Sequence, residues 1–147
     1  MSNTNETLIP QDMLDQQQLI EMSLQQRDTE EVRQQLIRKV ADYRYAREIA
    51  GVFVNGVKVG TDRIVQSTIN NCLNSLREGF VSSIEFKAEN GWVMIGLDEI
   101  RAIAQHVSAY VQQCFVAEKA HLSAISALTT LAEMDAYDVT AGWPSQS

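Results

Sequence analysis

The 147-residue chain holds two prolines, two histidines and two cysteines, and it lacks any long apolar run. Each scarcity excludes something. A membrane-spanning helix needs roughly 18 or more consecutive apolar residues, and no stretch approaches that. The opening residues MSNTNETLIPQD carry neither the basic region nor the hydrophobic core of a secretory signal, so the chain is expected to be made and kept in a cytosol. Asn5-Glu6-Thr7 fits a glycosylation triplet, but nothing else points to secretion. Cys72 and Cys114 fall on apolar positions of predicted helices, where a free thiol behaves as a small hydrophobe. They are read as reduced core residues, not a disulfide.

Catalytic and metal-binding constellations are equally scarce. His106 and His121 are fifteen residues apart on one predicted helix, about four turns, which puts them beyond the reach of one ion. His106 and Cys114 are separated by roughly 12 Å along the same axis, too far for a base and nucleophile. Asp98 and Glu99 stand at a helix start, where capping and the macrodipole account for them. There is no glycine-rich phosphate loop and no nucleophile elbow. The reading is a non-enzymatic chain with no metal and no cofactor. Nucleic acid is disfavoured as well, because 19 acids against 12 bases give a net charge of −7, which opposes a phosphate backbone. The one basic cluster, Arg33, Arg38, Lys39, Arg44 and Arg47, is interleaved with acids and reads as a mixed, solvated helix face.

What is present is an architecture. Residues 1–27 are polar and glutamine-rich around a thin apolar set, Met13, Leu14, Leu19, Ile20, Met22 and Leu24, too little to fold alone. Pro10 suits the start of a helix. From Thr29, Val32, Leu36, Val40 and Tyr43 recur at helical spacing as far as about Ile49, and Gly51 ends the helix. Val52 to Val59 alternate about Asn55-Gly56, the pair that best tolerates a two-residue hairpin turn. Thr61 or Asp62 caps a helix that Gly79 closes. Ile84 to Ala88 and Trp92 to Ile95 form a second hairpin about Glu89-Asn90-Gly91, with Asp98 in the capping place of Asp62. The expected fold class is α+β: two successive ββα units, each a small antiparallel sheet packed on helices, with an N-terminal helical arm and a long C-terminal helix. Unbroken from Asp98 to about Met134, that helix would span roughly 55 Å, so something must cover its overhang. The helix at 29–49 is the nearest candidate and a second subunit the next.

Two sets of aromatics stay open at this stage. Phe53, Phe86 and Trp92 on the strands either pack against helices or stack sugars or bases from an exposed face. Trp143, beyond the helical periodicity, either closes the domain by packing back on the sheet or anchors a partner.

Several motifs in order resemble a known family. They are Tyr43-x-x-Ala46 with Gly51-Val52, the hairpin, Thr61-Asp62, Ile84 to Val93 (IEFKAENGWV), Leu97-Asp98-Glu99-Ile100, Cys114-Phe115 and Gly142-Trp143-Pro144. Together they resemble an uncharacterised domain family met in tail, tail-fibre and neighbouring proteins of tailed bacteriophages, over about Tyr43 to Pro144. Where that family carries tryptophan before Lys87 this chain has Phe86, so no role of that tryptophan is carried over. The resemblance implies a component of the virion tail, baseplate or tail-fibre attachment, assembled in the host cytoplasm, or a tail-fibre assembly chaperone absent from the mature particle. A receptor- or saccharide-binding module is the reading from another class. The expected division is an arm over 1–42 and a domain over 43–144. Leu19, Met22, Val32, Leu36, Val40 and Trp143 are the expected partner-binding residues. The expected partners are other tail proteins and further copies of the chain, with no nucleic acid and no membrane span.

Overall fold

The computed structural model describes residues 11–147, with side chains described at 15–23 and 28–147. Pro10 as a helix opener, and the side chains of Met13, Leu14 and Leu24, lie outside the described residues. Helix α1 runs Gln11–Glu48, followed by strands β1 (Val52–Val54) and β2 (Val57–Val59) and helix α2 (Arg63–Arg77). Strands β3 (Ile84–Ala88) and β4 (Gly91–Ile95), helix α3 (Leu97–Ser126) and a short α4 (Leu131–Asp135) complete the order. The fold is α+β, with two antiparallel two-stranded sheets, β1-β2 and β3-β4.

Local chemistry explains most element ends. Gly51 stops α1 at φ +91°, and Asn55 and Gly56 take φ 50° and 81°, the paired positive angles that a tight hairpin requires. Asp62 caps α2 by accepting the Val65 N–H at 2.9 Å. The next helix differs from expectation. Its N-cap position is Gly96, Asp98 lies in the first turn, and the Glu99 carboxylate reaches back to accept the Gly96 N–H at 3.0 Å. A carboxylate three residues into a helix satisfies a backbone donor at the start as well as a capping aspartate does.

The two hairpins join side by side. The Lys58 N–H donates to Asn90 Oδ1 at 3.1 Å and Asn90 Nδ2 donates to the Gly56 carbonyl at 3.1 Å, while the Glu89 N–H donates to the Lys58 carbonyl at 2.8 Å. The turn of the second hairpin thus completes the open edge of β2. Alternation puts Val52, Val54, Val59, Phe86, Ala88 and Ile95 inward against Ile69, Leu76 and the α3 residues Ile100, Ile103 and Val107. That set is the main core.

The long C-terminal helix is shorter than the periodicity implies. α3 ends at Ser126 and the chain turns before α4. Thr130 is the cause: its hydroxyl accepts the Glu133 N–H at 3.1 Å, so a new helix start interrupts the apolar phase. α1 covers what remains. Tyr110 donates to the Arg47 carbonyl, Arg44 lies 3.5 Å from Glu118, and Arg33 donates to the Ile125 carbonyl at 2.6 Å. As α1 numbers fall, α3 numbers rise, so the helices are antiparallel. Leu36 and Val40 meet Ile125 and Met134 in a second core, flanked by Val32, Tyr137 and Trp143.

Three of the arginines expected on a solvated face are structural. Arg33 satisfies a carbonyl at the end of α3. Arg47 donates to the Pro144 carbonyl. Arg44 stacks 4.6 Å over the Phe115 ring and pairs with Glu48 at 2.8 Å. Apart from Glu48, one turn from Arg44, their targets lie 71 or more residues away in sequence, where periodicity in α1 alone does not reach. Glu48 itself is only 1% exposed. Arg63 approaches it at 3.4 Å, while the Thr61 hydroxyl donates to its carbonyl and accepts the Gly51 N–H at 2.9 Å. The end of α1, the first hairpin and the start of α2 therefore meet at one buried polar node.

Two measurements check this packing. Replacing Glu48 with glutamine keeps the shape but strips the buried charge from Arg44, and should cost about 3 kcal/mol in urea unfolding; a loss under about 0.5 kcal/mol would show the node to be a passive surface pair. Tyr110 adds a pH signature, because burial first, and the Cys114 thiol second, push its hydroxyl up to about 12. The unfolded chain releases that proton near 10, so stability is complete below about 10 and falls as pH rises toward about 12. The fall, of order 2 kcal/mol, should flatten in Tyr110→Phe. An identical fall in the variant would assign it elsewhere.

Candidate functional site

The residues expected to bind a partner separate into two groups. Leu36 is 7% exposed and Val40 0%, both covered by α3, α4 and the C-terminal tail of the same chain. Val32 is half-buried at the edge of that core. Trp143 packs on helices, not on the sheet: its ring stacks 5.2 Å from His121 and lies 5.3 Å from Tyr43. Its indole N–H donates to the Val139 carbonyl at 2.8 Å. Leu19 and Met22 are each 64% exposed and Ile20 59%.

The tail acts as a strap around Trp143. His121 Nε2 lies 2.8 Å from the Ala141 carbonyl and Nδ1 meets the Tyr137 hydroxyl. A carbonyl only accepts, so Nε2 donates to Ala141, and the Tyr137 hydroxyl, which can donate or accept, meets Nδ1. Further along, Gln146 accepts the Phe53 N–H at 2.8 Å and donates to the Gly51 carbonyl at 3.0 Å, closing the free edge of β1. These contacts occupy Trp143 and both nitrogens of His121 within the chain. No local pattern around His121 signals them, since the partners lie 16 and 20 residues later in an aperiodic tail.

α1 continues past this closed domain. Arg33 is level with the end of α3, and residues 15–23 are all exposed. The segment from Gln11 to Asp28 is about 27 Å of helix at ~1.5 Å per residue, and Leu19, Ile20 and Met22 stand exposed along it. Residues advance about 100° around a helix. Met22 therefore lies on the line of Leu36 and Val40, Leu19 is beside it, and Ile20 points away. Ile20 was absent from the expected set, although its apolar character was visible in the sequence. The charge is equally uneven. Between Gln11 and Glu31 six carboxylates stand against one base, Arg27, whereas residues 32–147 carry twelve carboxylates and eleven bases.

The strand aromatics also divide. Phe86 is buried at 4%, but Phe53 is 47% and Trp92 68% exposed, with Lys87 5.8 Å over the Trp92 ring. They occupy different hairpins, on β1 and β4.

Among the described residues, chemically reactive groups are not gathered together. Cys114 is buried and Cys72 half-buried, both as free thiols, and burial pushes each thiol up, away from the nucleophilic thiolate. His106 is exposed beside a shallow hollow of about 270 Å³ with Asn55 and Gln105. A groove of about 220 Å³ between α2 and α3 is lined by Gln66, Asn70, Ser108 and Gln112 over an apolar floor. Among the described residues, no group of three His, Cys, Asp or Glu side chains is placed to hold a metal ion, and no helix is long and apolar enough to cross a membrane.

No curated protein and no solved structure matches the chain. A family model described as a domain of unknown function, DUF4376, matches residues 31–141. That span starts where α1 first meets the second core and ends inside the tail strap, leaving the projecting part of α1 outside it. The chain belongs to the DUF4376 domain family.

Proposed function

We propose that the chain is a non-enzymatic interaction protein of a bacteriophage tail, a tail, baseplate or tail-fibre attachment component that docks through its helices. The observation that carries the docking is the arm: Leu19, Ile20 and Met22 stay exposed on α1 beyond a domain that is closed by its own tail. Apolar groups held in water on a projecting helix favour a surface that is covered in an assembly. The phage setting is supported by the order of motifs from Tyr43 to Pro144. Other tail proteins are the proposed partners, and the virion tail, assembled in the host cytoplasm, the proposed location. A tail-fibre assembly chaperone uses the same arm but leaves before maturation.

A receptor- or saccharide-binding role is favoured by a different observation, the exposure of Phe53 and Trp92. Aromatic faces in water stack sugar rings. It is the weaker reading, because the two rings sit on separate hairpins and the hollow near Asn55 contains neither.

Mass spectrometry of purified particles tests the proposal. The full chain should be present at stoichiometric copy number, and a chain lacking residues 1–28 should be absent from the particle while still unfolding cooperatively. Absence of the full chain assigns it to the chaperone role. Normal incorporation of the truncated chain removes the arm as the docking element.

A further inference from the structure

We propose that the α1 arm, residues 11–31, docks into an apolar cleft rimmed by lysine and arginine on a different protein, and does not pair with the arm of a second copy. The inference rests on the reading of the arm as a docking element and identifies the chemistry of its partner. Its first support is charge. The arm carries six carboxylates and one arginine, a net −5 of the chain's −7, and the remaining domain is close to neutral. Two such arms side by side would gather twelve carboxylates around two arginines along roughly 30 Å of helix, with like charges within a Debye length of ~10 Å. A basic rim turns the same charges into attraction and steering.

The second support is where the apolar groups point. Met22 and Leu19 share one side of the helix and Ile20 lies about 160° from Met22, so a single flat neighbour leaves one of them in water. A cleft with two walls covers all three. The alternative docking surfaces are less demanding: the α2–α3 groove is lined by amides and a serine, and the stripe through Leu36 and Val40 is already filled. Nucleic acid and anionic lipid are excluded as occupants of the arm by the same charge that excludes a second copy.

The probe is a synthetic amphipathic helical peptide of leucine and lysine, compared with one in which glutamate replaces lysine, titrated against the full chain. The lysine peptide should bind and the glutamate peptide should not. Raising salt from about 50 mM to about 500 mM should weaken binding about tenfold. Two full-chain variants separate the terms: Asp12→Asn with Asp15→Asn and Glu21→Gln should weaken binding and remove most of the salt dependence, and Leu19→Gln with Ile20→Gln and Met22→Gln should weaken it while the salt dependence stays. Circular dichroism confirms that each variant keeps its helix content. Equal binding of both peptides, or variants that bind as the parent does, overturns the proposal. So does a chain that sediments as a dimer and becomes a monomer when Leu19, Ile20 and Met22 are replaced. If those outcomes occur while the chain lacking residues 1–28 still fails to enter particles, the tail reading stands and only the basic partner is lost.

Discussion

Glu48 ends α1 with its carboxylate out of water, held by Arg44 and approached by Arg63, while its carbonyl takes the hydroxyl of Thr61. A charge in that place is tolerated only with its partners in position, so the last turn of α1, the first hairpin and the start of α2 assume one mutual arrangement. The rest follows from it. Arg47, one residue earlier, receives the Tyr110 hydroxyl and reaches the Pro144 carbonyl, which sets α3 antiparallel to α1 and brings the tail across both. Once the tail is there, Gln146 completes β1 and Trp143 fills the space between Tyr43 and His121.

The same arrangement limits how much of α1 the domain supports. α3 ends level with Arg33 because Thr130 starts a new helix, and the second core reaches back only to Val32. The family match begins at residue 31, at the same level. Packing, charge and family membership therefore change at one place on a single continuous helix. A polar helix of this length is marginal in water by itself, so its extension beyond the core is the part of the molecule with most to gain from a neighbour.

Features decided within a few residues were legible in the sequence. Asn55-Gly56 specifies a turn through backbone angles, and Asp62 caps the helix that follows it through an N–H three residues away. The Thr130-x-x-Glu133 pattern that breaks the long helix was equally local, but apolar spacing through Leu128 and Leu131 concealed it. Strand alternation about Val52 and Val54 already places Phe53 on the outer face. What could not be read was long-range: that Arg33, Arg44 and Arg47 leave solvent for partners in α3 and the tail, and that His121 organises an aperiodic tail. Periodicity locates a buried face but carries no information about which distant carbonyl a guanidinium will meet. For the expected site, the consequence was that Leu36, Val40 and Trp143 are occupied within the chain while Leu19 and Met22, with Ile20, remain open.

Hydrogen exchange on the full chain, followed peptide by peptide along α1, tests the division at residue 31 most directly. Amides from Val32 to Glu48 should exchange slowly, through opening of the domain, and those from Asp15 to Asp28 orders of magnitude faster, near the rates of an isolated helix. Uniform slow exchange along all of α1 in the isolated chain would contradict the account, because it would mean that the arm is already packed.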